Sequence, residues 1–114
     1  MPTDCVFCKI ASGEIPAEKV FEDAEIFAFK DIKPVAPVHV LFIPKKHLAN
    51  VGELDSASAA LVGKIFLAAK RVADTLGVSK NGYRIIANTN RDAGQEVFHL
   101  HFHLIGGRRL GALG

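Results

Sequence analysis

The stretch HLHFHLIGG, residues 99–107, alternates histidine with apolar residues and ends in two glycines. Because alternate side chains of a β-strand share a face, the pattern predicts a strand with His99, His101 and His103 on one face and apolar residues on the other. The outer two α-carbons of such a strand stand roughly 13 Å apart. The ligands of one zinc ion all lie about 2 Å from it, so one metal ion does not easily take all three histidines.

The row of imidazoles suits chemistry at phosphorus. An imidazole titrates near neutral pH and offers both a nucleophilic nitrogen and a proton donor. Transfer of a phosphoryl or nucleotidyl group to or from nitrogen needs an attacking base, stabilisation of the phosphate oxygens and a proton for the leaving amine. The alternative is a solvated strand face with incidental histidines, which suits a single histidine better than three in register.

Composition limits the class of protein. A chain of 114 residues that is 49% hydrophobic is expected to form a single domain, residues 1–114, around one core. The net charge of +2 is spread along the chain, which argues against a nucleic-acid partner. The first ten residues lack a long apolar run, and no segment approaches the length of a membrane span, so we expect no membrane partner and a cytoplasmic location.

The remaining segments predict an α+β fold with an antiparallel sheet of about five strands, one long helix and one short N-terminal helix. Apolar residues at three- and four-residue steps predict the long helix over 56–76, capped by Asp55 or Ser56 and stopped at Gly77. The short helix is predicted over 5–11. Runs of β-branched and aromatic residues between turn signals predict strands over 19–23, 25–31, 38–44, 83–88 and 97–105.

The motif HLHFHLI, residues 99–105, resembles the signature of the histidine triad hydrolases and transferases, in which three histidines alternate with apolar residues. The resemblance extends to FEDAEIFAFKDIKPVAPVHVLFIPKKH (21–47) and GQEVFHLHFHLIGGR (94–108), which are similar to the nucleotide-binding Hint branch. The Gly-Gly-Arg after the triad favours that branch over the diadenosine polyphosphate hydrolases. The fold that the resemblance implies is the α+β fold of this family.

The resemblance implies roles for four histidines. The middle histidine of the family's triad is the nucleophile, so His101 would form a covalent nucleotidyl-histidine intermediate and His103 would hold the phosphate. His99, with His39 from a neighbouring strand, would orient His101 and manage protons. The implied activity is hydrolysis of purine nucleoside 5′-phosphoramidates, with AMP or GMP as the bound nucleotide and no cofactor required for catalysis.

The same resemblance implies a nucleotide site. Asp31 matches the acid that takes the ribose hydroxyls, since a carboxylate accepts both hydrogen bonds; the alternative is a turn or helix cap. Backbone N–H groups of residues 94–97 would bind phosphate without Mg²⁺. The other implied contacts are Asn88, Gln95 and Val97 near the phosphate or ribose, and Val6, Ile10, Phe29 and Ile32 around the purine. For the last four, ordinary core packing explains the residues almost as well.

Two features depart from the family pattern. Glu96 stands where many eukaryotic relatives carry a serine that helps the leaving group, so protonation of the leaving group either rests on the histidines alone or Glu96 points away from the site. The sequence after Gly107, RRLGALG, lacks the aromatic tail that reaches the partner subunit's site in some relatives, so we expect a different substrate preference.

The resemblance also implies a homodimer formed through the long helix and the strand after it. Leu61, Ile65 and Leu76 are candidates for either core or interface.

The pair CVFC, residues 5–8, fits zinc binding, redox chemistry or neither. A redox pair is expected after a strand of a βαβ unit, which this segment lacks. Zinc needs two more ligands; some members of the wider superfamily build a Cys, Cys, His, His structural site at positions that match Cys5, Cys8, His47 and His99. In the other interpretation the cysteines are two small buried thiols and His99 belongs to the triad alone.

Other functions stay open from the sequence. A purine-nucleotide-binding or scaffold protein would use the same residues without turnover, and a dinucleoside polyphosphate hydrolase would differ only in substrate. A nonenzymatic metal-binding module accounts for the cysteines, but it leaves Asp31, Asn88 and Gln95 without a role.

Overall fold

In a computed structural model, which describes residues 4–114, the chain forms a five-stranded antiparallel sheet with the strand order β1-β2-β3-β5-β4. The α+β prediction, with one long and one short helix, is confirmed. The helices are α1 (Val6–Ala11) and α2 (Ala59–Thr75), and the strands are β1 (Lys19–Glu22), β2 (Ile26–Lys30), β3 (Val38–Pro44), β4 (Tyr83–Ile86) and β5 (Phe102–Gly106). Neither α2 nor any other helix within residues 4–114 combines the length and the apolarity that a membrane crossing requires.

The central strand β3 divides its side chains between two apolar clusters. Val40 and Phe42 pack with Ile65 and other residues of α2 on one face of the sheet. Leu41 and Ile43 pack on the opposite face with Phe7 of α1. His39 shares the parity of the second set, and His103 of β5 stands directly across from Leu41. The alternation of the central strands therefore brings His39 and His103 to the face that α1 covers.

Helix α2 begins and ends close to where the periodicity predicts. Asp55 and Ser58 form a capping box, each side chain accepting from the other's backbone N–H. The first predicted turn, Ser56–Ser58, is a 3₁₀ turn, and the α-helix itself begins at Ala59. Gly77 follows in the left-handed region with a φ of +77°. Of the predicted core or interface residues, Ile65 is fully buried in the core, whereas Leu61 and Leu76 are half-buried beside it.

The prediction of a strand over 97–105 is wrong for residues 97–101, because β5 begins at Phe102. The pairing of β5 with β3 ends at Phe102 opposite Phe42, and in the same register Leu100 would face Pro44, which has no backbone N–H to donate. The N–H of Leu100 instead donates to the carbonyl of Leu48. His99 and His101 therefore lie on an irregular segment, but the predicted alternation persists there. Leu100 packs in the same apolar cluster as Phe102 and Leu104, and His99 and His101 lie against Phe7 of α1 on the opposite face.

Candidate active site

A cavity of about 670 Å³ opens on the face of the sheet that α1 covers. This volume lies in the range of small-molecule sites. Its polar lining includes His39, His101, His103 and Asp31. Three of the four histidines that the triad resemblance implies therefore meet at one cavity, although they come from two strands and an irregular segment.

The hydrogen bond of His101 decides which of its ring nitrogens is free. Its Nδ1 lies 2.7 Å from the backbone carbonyl oxygen of His99. Since a carbonyl only accepts, Nδ1 carries a proton and donates it, so Nε2 of the neutral ring keeps its lone pair. Burial lowers the pKa of His101 below its ordinary value, which keeps the ring neutral at physiological pH. His101 thus presents an unprotonated nitrogen.

The tautomers of His39 and His103 follow from the backbone of the loop before β3. The N–H of Val35 donates to Nδ1 of His39 over 3.2 Å. Nδ1 is therefore an acceptor, and Nε2 of the neutral His39 ring carries the proton. This Nε2 lies 2.9 Å from Nδ1 of His103. His39 donates to His103, and the remaining proton of His103 lies on its Nε2.

Nε2 of His103 is the one buried side-chain nitrogen or oxygen in residues 4–114 that lacks a hydrogen-bond partner. Burial, followed by repulsion from His101 and His39, lowers the pKa of His103 to about 4. The ring is therefore neutral near pH 7, and its Nε2–H is a donor without an acceptor. A buried unpaired donor costs free energy, and an anionic oxygen in the cavity would remove that cost.

Asp31 caps a turn and also lies at the cavity, so both interpretations of its sequence position, a turn cap and a ribose contact, fit its place in the structure. One carboxylate oxygen, Oδ1, accepts from the backbone N–H of Lys33 over 2.8 Å, which is a turn cap. The other oxygen, Oδ2, lies 3.5 Å from Nε2 of His39. The side chain also lines the cavity. Capping the turn therefore holds the carboxylate at the cavity wall.

A second cluster combines Cys5, Cys8, His47 and His99, whose sulfur and Nδ1 atoms lie within 4.8 Å of one another. The two Nδ1 atoms are 3.2 Å apart. Nδ1 of His99 lies 3.3 Å from Sγ of Cys5 and 3.5 Å from Sγ of Cys8, and Nδ1 of His47 lies 3.4 Å from Sγ of Cys8. Tetrahedral zinc with ordinary Zn–N and Zn–S bonds separates its ligand atoms by roughly 3.3 to 3.8 Å, from nitrogen–nitrogen to sulfur–sulfur pairs. The four distances given above fit this tetrahedron within a few tenths of an ångström, and the remaining pairs of ligand atoms lie within 4.8 Å.

The far nitrogen of His99 leaves Nδ1 open to this cluster. Nε2 of His99 lies 2.8 Å from the carbonyl oxygen of Pro44 and carries the proton that it donates. Metal-binding histidines commonly donate their other ring N–H in this way. Without a metal, burial raises the pKa of the Cys8 thiol to about 11. A metal ion would therefore displace a proton on binding Cys8.

The HIT domain model matches residues 12–110 of this chain. A purine nucleoside phosphoramidase of Escherichia coli strain K12 is 41% identical over 113 residues, which cover 99% of this chain and 95% of that protein. The chain belongs to the histidine triad family. The family resemblance of its sequence is thereby confirmed, and hydrolases are among its relatives.

Solved structures of other histidine triad proteins share the fold. A histidine triad protein from Clostridium difficile superposes with a TM-score of 0.96 at 41% identity, covering 100% of this chain and 99% of that one. A HIT family hydrolase from Legionella pneumophila Philadelphia 1 has a TM-score of 0.93 at 50% identity, covering 95% and 96%. The sheet and helices described above are therefore those of histidine triad proteins.

In this histidine triad protein the triad is divided between the two clusters. His101 and His103 line the cavity, whereas His99 is fully buried with its ring in the cysteine cluster. His99 still acts on His101, but through its backbone carbonyl. The predicted proton-managing role of the His99 side chain therefore has no support from its position, while its predicted place among the metal ligands does.

Gln95 lies outside the cavity lining. Its side-chain oxygen accepts from the N–H of Asn90 and from the side-chain amide of Asn50, and its nitrogen donates to the carbonyls of Ala49 and Val97. All these contacts are within the protein and Gln95 itself is buried, so Gln95 holds the loop that borders the cavity rather than facing a nucleotide. Asn50 was not a predicted site residue, because its partner lies 45 positions away and no local pattern marks it.

The other predicted nucleotide contacts lie at the cavity wall: Val6, Ile10, Phe29, Ile32, Asn88 and Val97. Ordinary core packing does not explain Ile32, which is 91% exposed, but it does describe Phe29, which is buried in the apolar cluster under α1. Glu96 also lines the cavity.

Proposed function

We propose that this protein hydrolyses purine nucleoside 5′-phosphoramidates through a covalent nucleotidyl-histidine at Nε2 of His101. The observation that carries the proposal is the 2.7 Å hydrogen bond from Nδ1 of His101 to the carbonyl of His99. It leaves a lone pair on Nε2 of a ring that lines the cavity. The phosphoramidase relative in Escherichia coli, matched over nearly the whole chain, supports the same class of substrate.

The reaction has two displacements at phosphorus. In the first, the lone pair of Nε2 forms a bond to phosphorus, the phosphorus–nitrogen bond of the substrate breaks, and the amine leaves with a proton from the histidines of the site. In the second, water attacks phosphorus, the bond to His101 breaks, AMP leaves, and the proton of the water returns to the histidines. Splitting the hydrolysis in this way replaces one difficult step with two easier ones.

The neighbouring groups supply the binding that these steps need. The unpaired Nε2–H of His103 is a donor for a phosphate oxygen. Of the turn at residues 94–97, Glu96 and Val97 border the same cavity and would offer their backbone N–H groups, whereas those of Gly94 and Gln95 donate to the carbonyls of Arg91 and Asn90. Asp31 has one carboxylate oxygen that is not used by the turn cap, and it would accept from the ribose hydroxyls. The apolar wall beside them, which includes Phe29 and Ile32, would hold the purine.

We also propose a structural zinc ion held by Cys5, Cys8, His47 and His99, supported by the tetrahedral spacing of their ligand atoms. The ion would stabilise the segment before β5 and, through the backbone of His99, the position of His101. A reducing cytosol would keep both thiols available for it. Catalysis at His101 needs nothing from the metal except this positioning.

A homodimer is the assembly that we propose. Within residues 4–114 strand β4 lies at the edge of the sheet with one side unpaired, and helix α2, which packs against β3 and β1, exposes Phe66 and Leu67. Both features favour pairing with another copy through the helix and strand that the family resemblance implies. Sedimentation would show whether the chain is dimeric and whether Leu67→Asp makes it monomeric.

The first experiment measures release of AMP from an adenosine 5′-phosphoramidate. We expect turnover by the wild-type protein and a fall of about a thousandfold or more in kcat for His101→Ala, with AMP affinity changed far less. Mass spectrometry of acid-quenched wild-type protein should find the nucleotidyl adduct on His101. A chelator should lower kcat far less than His101→Ala does, because the proposed zinc positions His101 without taking part in the reaction.

Equal rates for wild type and His101→Ala would rule out the covalent mechanism. Binding of AMP without any turnover would favour the nucleotide-binding alternative, in which the histidines grip the phosphate and no bond is broken. Faster cleavage of a diadenosine polyphosphate than of the phosphoramidate would move the proposal to the other branch of the family.

A further inference from the structure

The loop between β2 and β3, residues 31–37, carries groups of the proposed site but has little packing of its own. It contains two prolines and no regular secondary structure, and Ile32 and Val35 are 91% and 57% exposed. Within the loop Asp31 caps the turn at Lys33. The conformation of the loop therefore depends on a few attachments to the rest of the molecule.

One attachment comes from the end of β5. The guanidinium of Arg108 donates from Nη2 to the carbonyl of Val35 over 2.7 Å, and its Nη1 donates to the carbonyl of Arg109 over 3.0 Å. Beside it, Gly107 has a φ of +96°, and a Cβ there would lie 2.9 Å from Cβ of Pro37. The close approach at Gly107 and the hydrogen bond of Arg108 hold the same loop from the same side.

Val35 is held on both sides, which connects Arg108 to the cavity. Its carbonyl accepts from Arg108, and its N–H donates to Nδ1 of His39. Nε2 of His39 then donates to Nδ1 of His103, whose Nε2–H has no partner. Each link fixes the next, because a neutral imidazole that accepts at one nitrogen must donate at the other.

We propose that Arg108 is a positioning residue that sets the tautomer of His103 by holding Val35 against His39. Without the hydrogen bond from Arg108, the N–H of Val35 no longer donates steadily to Nδ1 of His39, and Nδ1 is no longer fixed as the acceptor. The His39–His103 pair can then reverse, with His103 donating from Nδ1 and its Nε2 turned from donor to acceptor. An acceptor facing a phosphate oxygen would weaken binding, so Arg108 acts on the ligand without touching it. The ligand is the nucleotide of the proposed function, and the inference rests on that function.

The test reads the tautomer directly. Long-range proton–nitrogen correlation spectra of the ¹⁵N-labelled full chain, purified with zinc and without nucleotide, distinguish protonated from unprotonated ring nitrogens of His103. We expect the wild type to show protonated Nε2, Arg108→Ala to show a mixture of tautomers, and Arg108→Lys to restore the wild-type pattern. AMP affinity, measured by calorimetry, should fall by about tenfold in Arg108→Ala, as expected for one compromised charged hydrogen bond.

Arg109→Ala is the matched control, because it removes the same charge from the next residue. An equal loss of AMP affinity in Arg109→Ala would mean that positive charge near the site, and not the hold on Val35, is responsible. A wild-type His103 spectrum in Arg108→Ala would overturn the proposal whether or not affinity changes. Because the spectra need neither substrate nor turnover, failure of the protein to hydrolyse phosphoramidates would leave the tautomer result intact and would count only against the proposed function.

Discussion

Two clusters of metal-binding residue types flank His101, and they differ in where the lone pairs of the ring nitrogens go. In the cluster of Cys5, Cys8, His47 and His99, sulfur and nitrogen atoms converge; in the cluster of Asp31, His39 and His103, neighbouring atoms are paired by hydrogen bonds. The ligand atoms of each cluster lie within the same 4.8 Å. Proximity alone therefore does not distinguish a metal site from a hydrogen-bonded relay.

The partner of the far ring nitrogen makes the distinction. His99 donates from Nε2 to the carbonyl of Pro44, which leaves the lone pair of Nδ1 for a cation. His39 accepts at Nδ1 from the N–H of Val35, so its Nε2 carries a proton and has no lone pair to offer. A backbone carbonyl thus prepares one histidine to bind metal, and a backbone N–H prepares the other to donate a proton.

The largest expected effect is loss of metal and stability on breaking the cysteine cluster. Cys8→Ala should lower the zinc content from one ion per chain to none and lower the free energy of unfolding by on the order of 3 kcal/mol, since a metal site is lost from the folded state. Zinc content is measured by atomic absorption and stability by urea denaturation. In contrast, His39→Ala should keep its zinc; loss of the ion in that variant too would break the distinction between the two clusters.

A smaller effect is expected from protonation of the cluster of Asp31, His39 and His103. The pKa of His103 in the folded protein, about 4, lies below its unfolded value, so the unfolded chain binds the extra proton between about pH 6.5 and pH 4. Above this window His103 adds nothing to the pH dependence; within it the free energy of unfolding falls as the pH falls. Burial lowers the pKa of His39 as well, and that residue adds a loss of the same sign.

Urea denaturation of wild type and His103→Gln across this pH range isolates the contribution. Proton competition at the cysteine cluster affects both proteins equally and cancels in the difference. The variant should lose less stability than wild type as the pH falls. Parallel curves would mean that His103 is not held neutral by its surroundings.

The smallest effect is expected from replacing the carboxylate of Asp31, in the cluster of Asp31, His39 and His103. Asp31→Asn should raise KM for an adenosine phosphoramidate by about tenfold with little change in kcat, because one oxygen that accepts from the ribose is lost while the turn cap survives. A substrate without ribose hydroxyls should be equally poor for both proteins. If the variant also binds that substrate less well, Asp31 acts through His39 rather than on the ribose.

The fold was predictable where the pattern is local. The steps of Ile65, Ala69 and Val72 along α2 and the apolar run of β3 specify a helix and a buried strand from neighbouring residues alone. The strand over 97–101 was wrongly predicted, because the pattern of alternation does not reveal that a continued register would bring Leu100 opposite Pro44. Strand ends depend on the neighbouring strand, which local periodicity does not contain.

The site was predictable in its residue types more than in its roles. The sequence resemblance brought His39, His101 and His103 together, and the structure places all three at one cavity. The resemblance did not reveal that the hydrogen-bonding groups of Gln95 are used within the loop, or that Asn50 is one of its partners. Those roles depend on hydrogen bonds between segments far apart in the chain.

The sequence by itself determined which residues form the core of the sheet and that three histidines share one face just before the two glycines at the end of the motif. Periodicity and residue chemistry are properties of the chain. Only the tertiary structure decided what each histidine does. The protonated nitrogen of each ring is chosen by its partner, and those partners are the carbonyls of Pro44 and His99 and the N–H of Val35. Rings of identical chemistry therefore present a lone pair to the cysteines, a lone pair to the cavity or an N–H donor, according to which backbone group lies beside them.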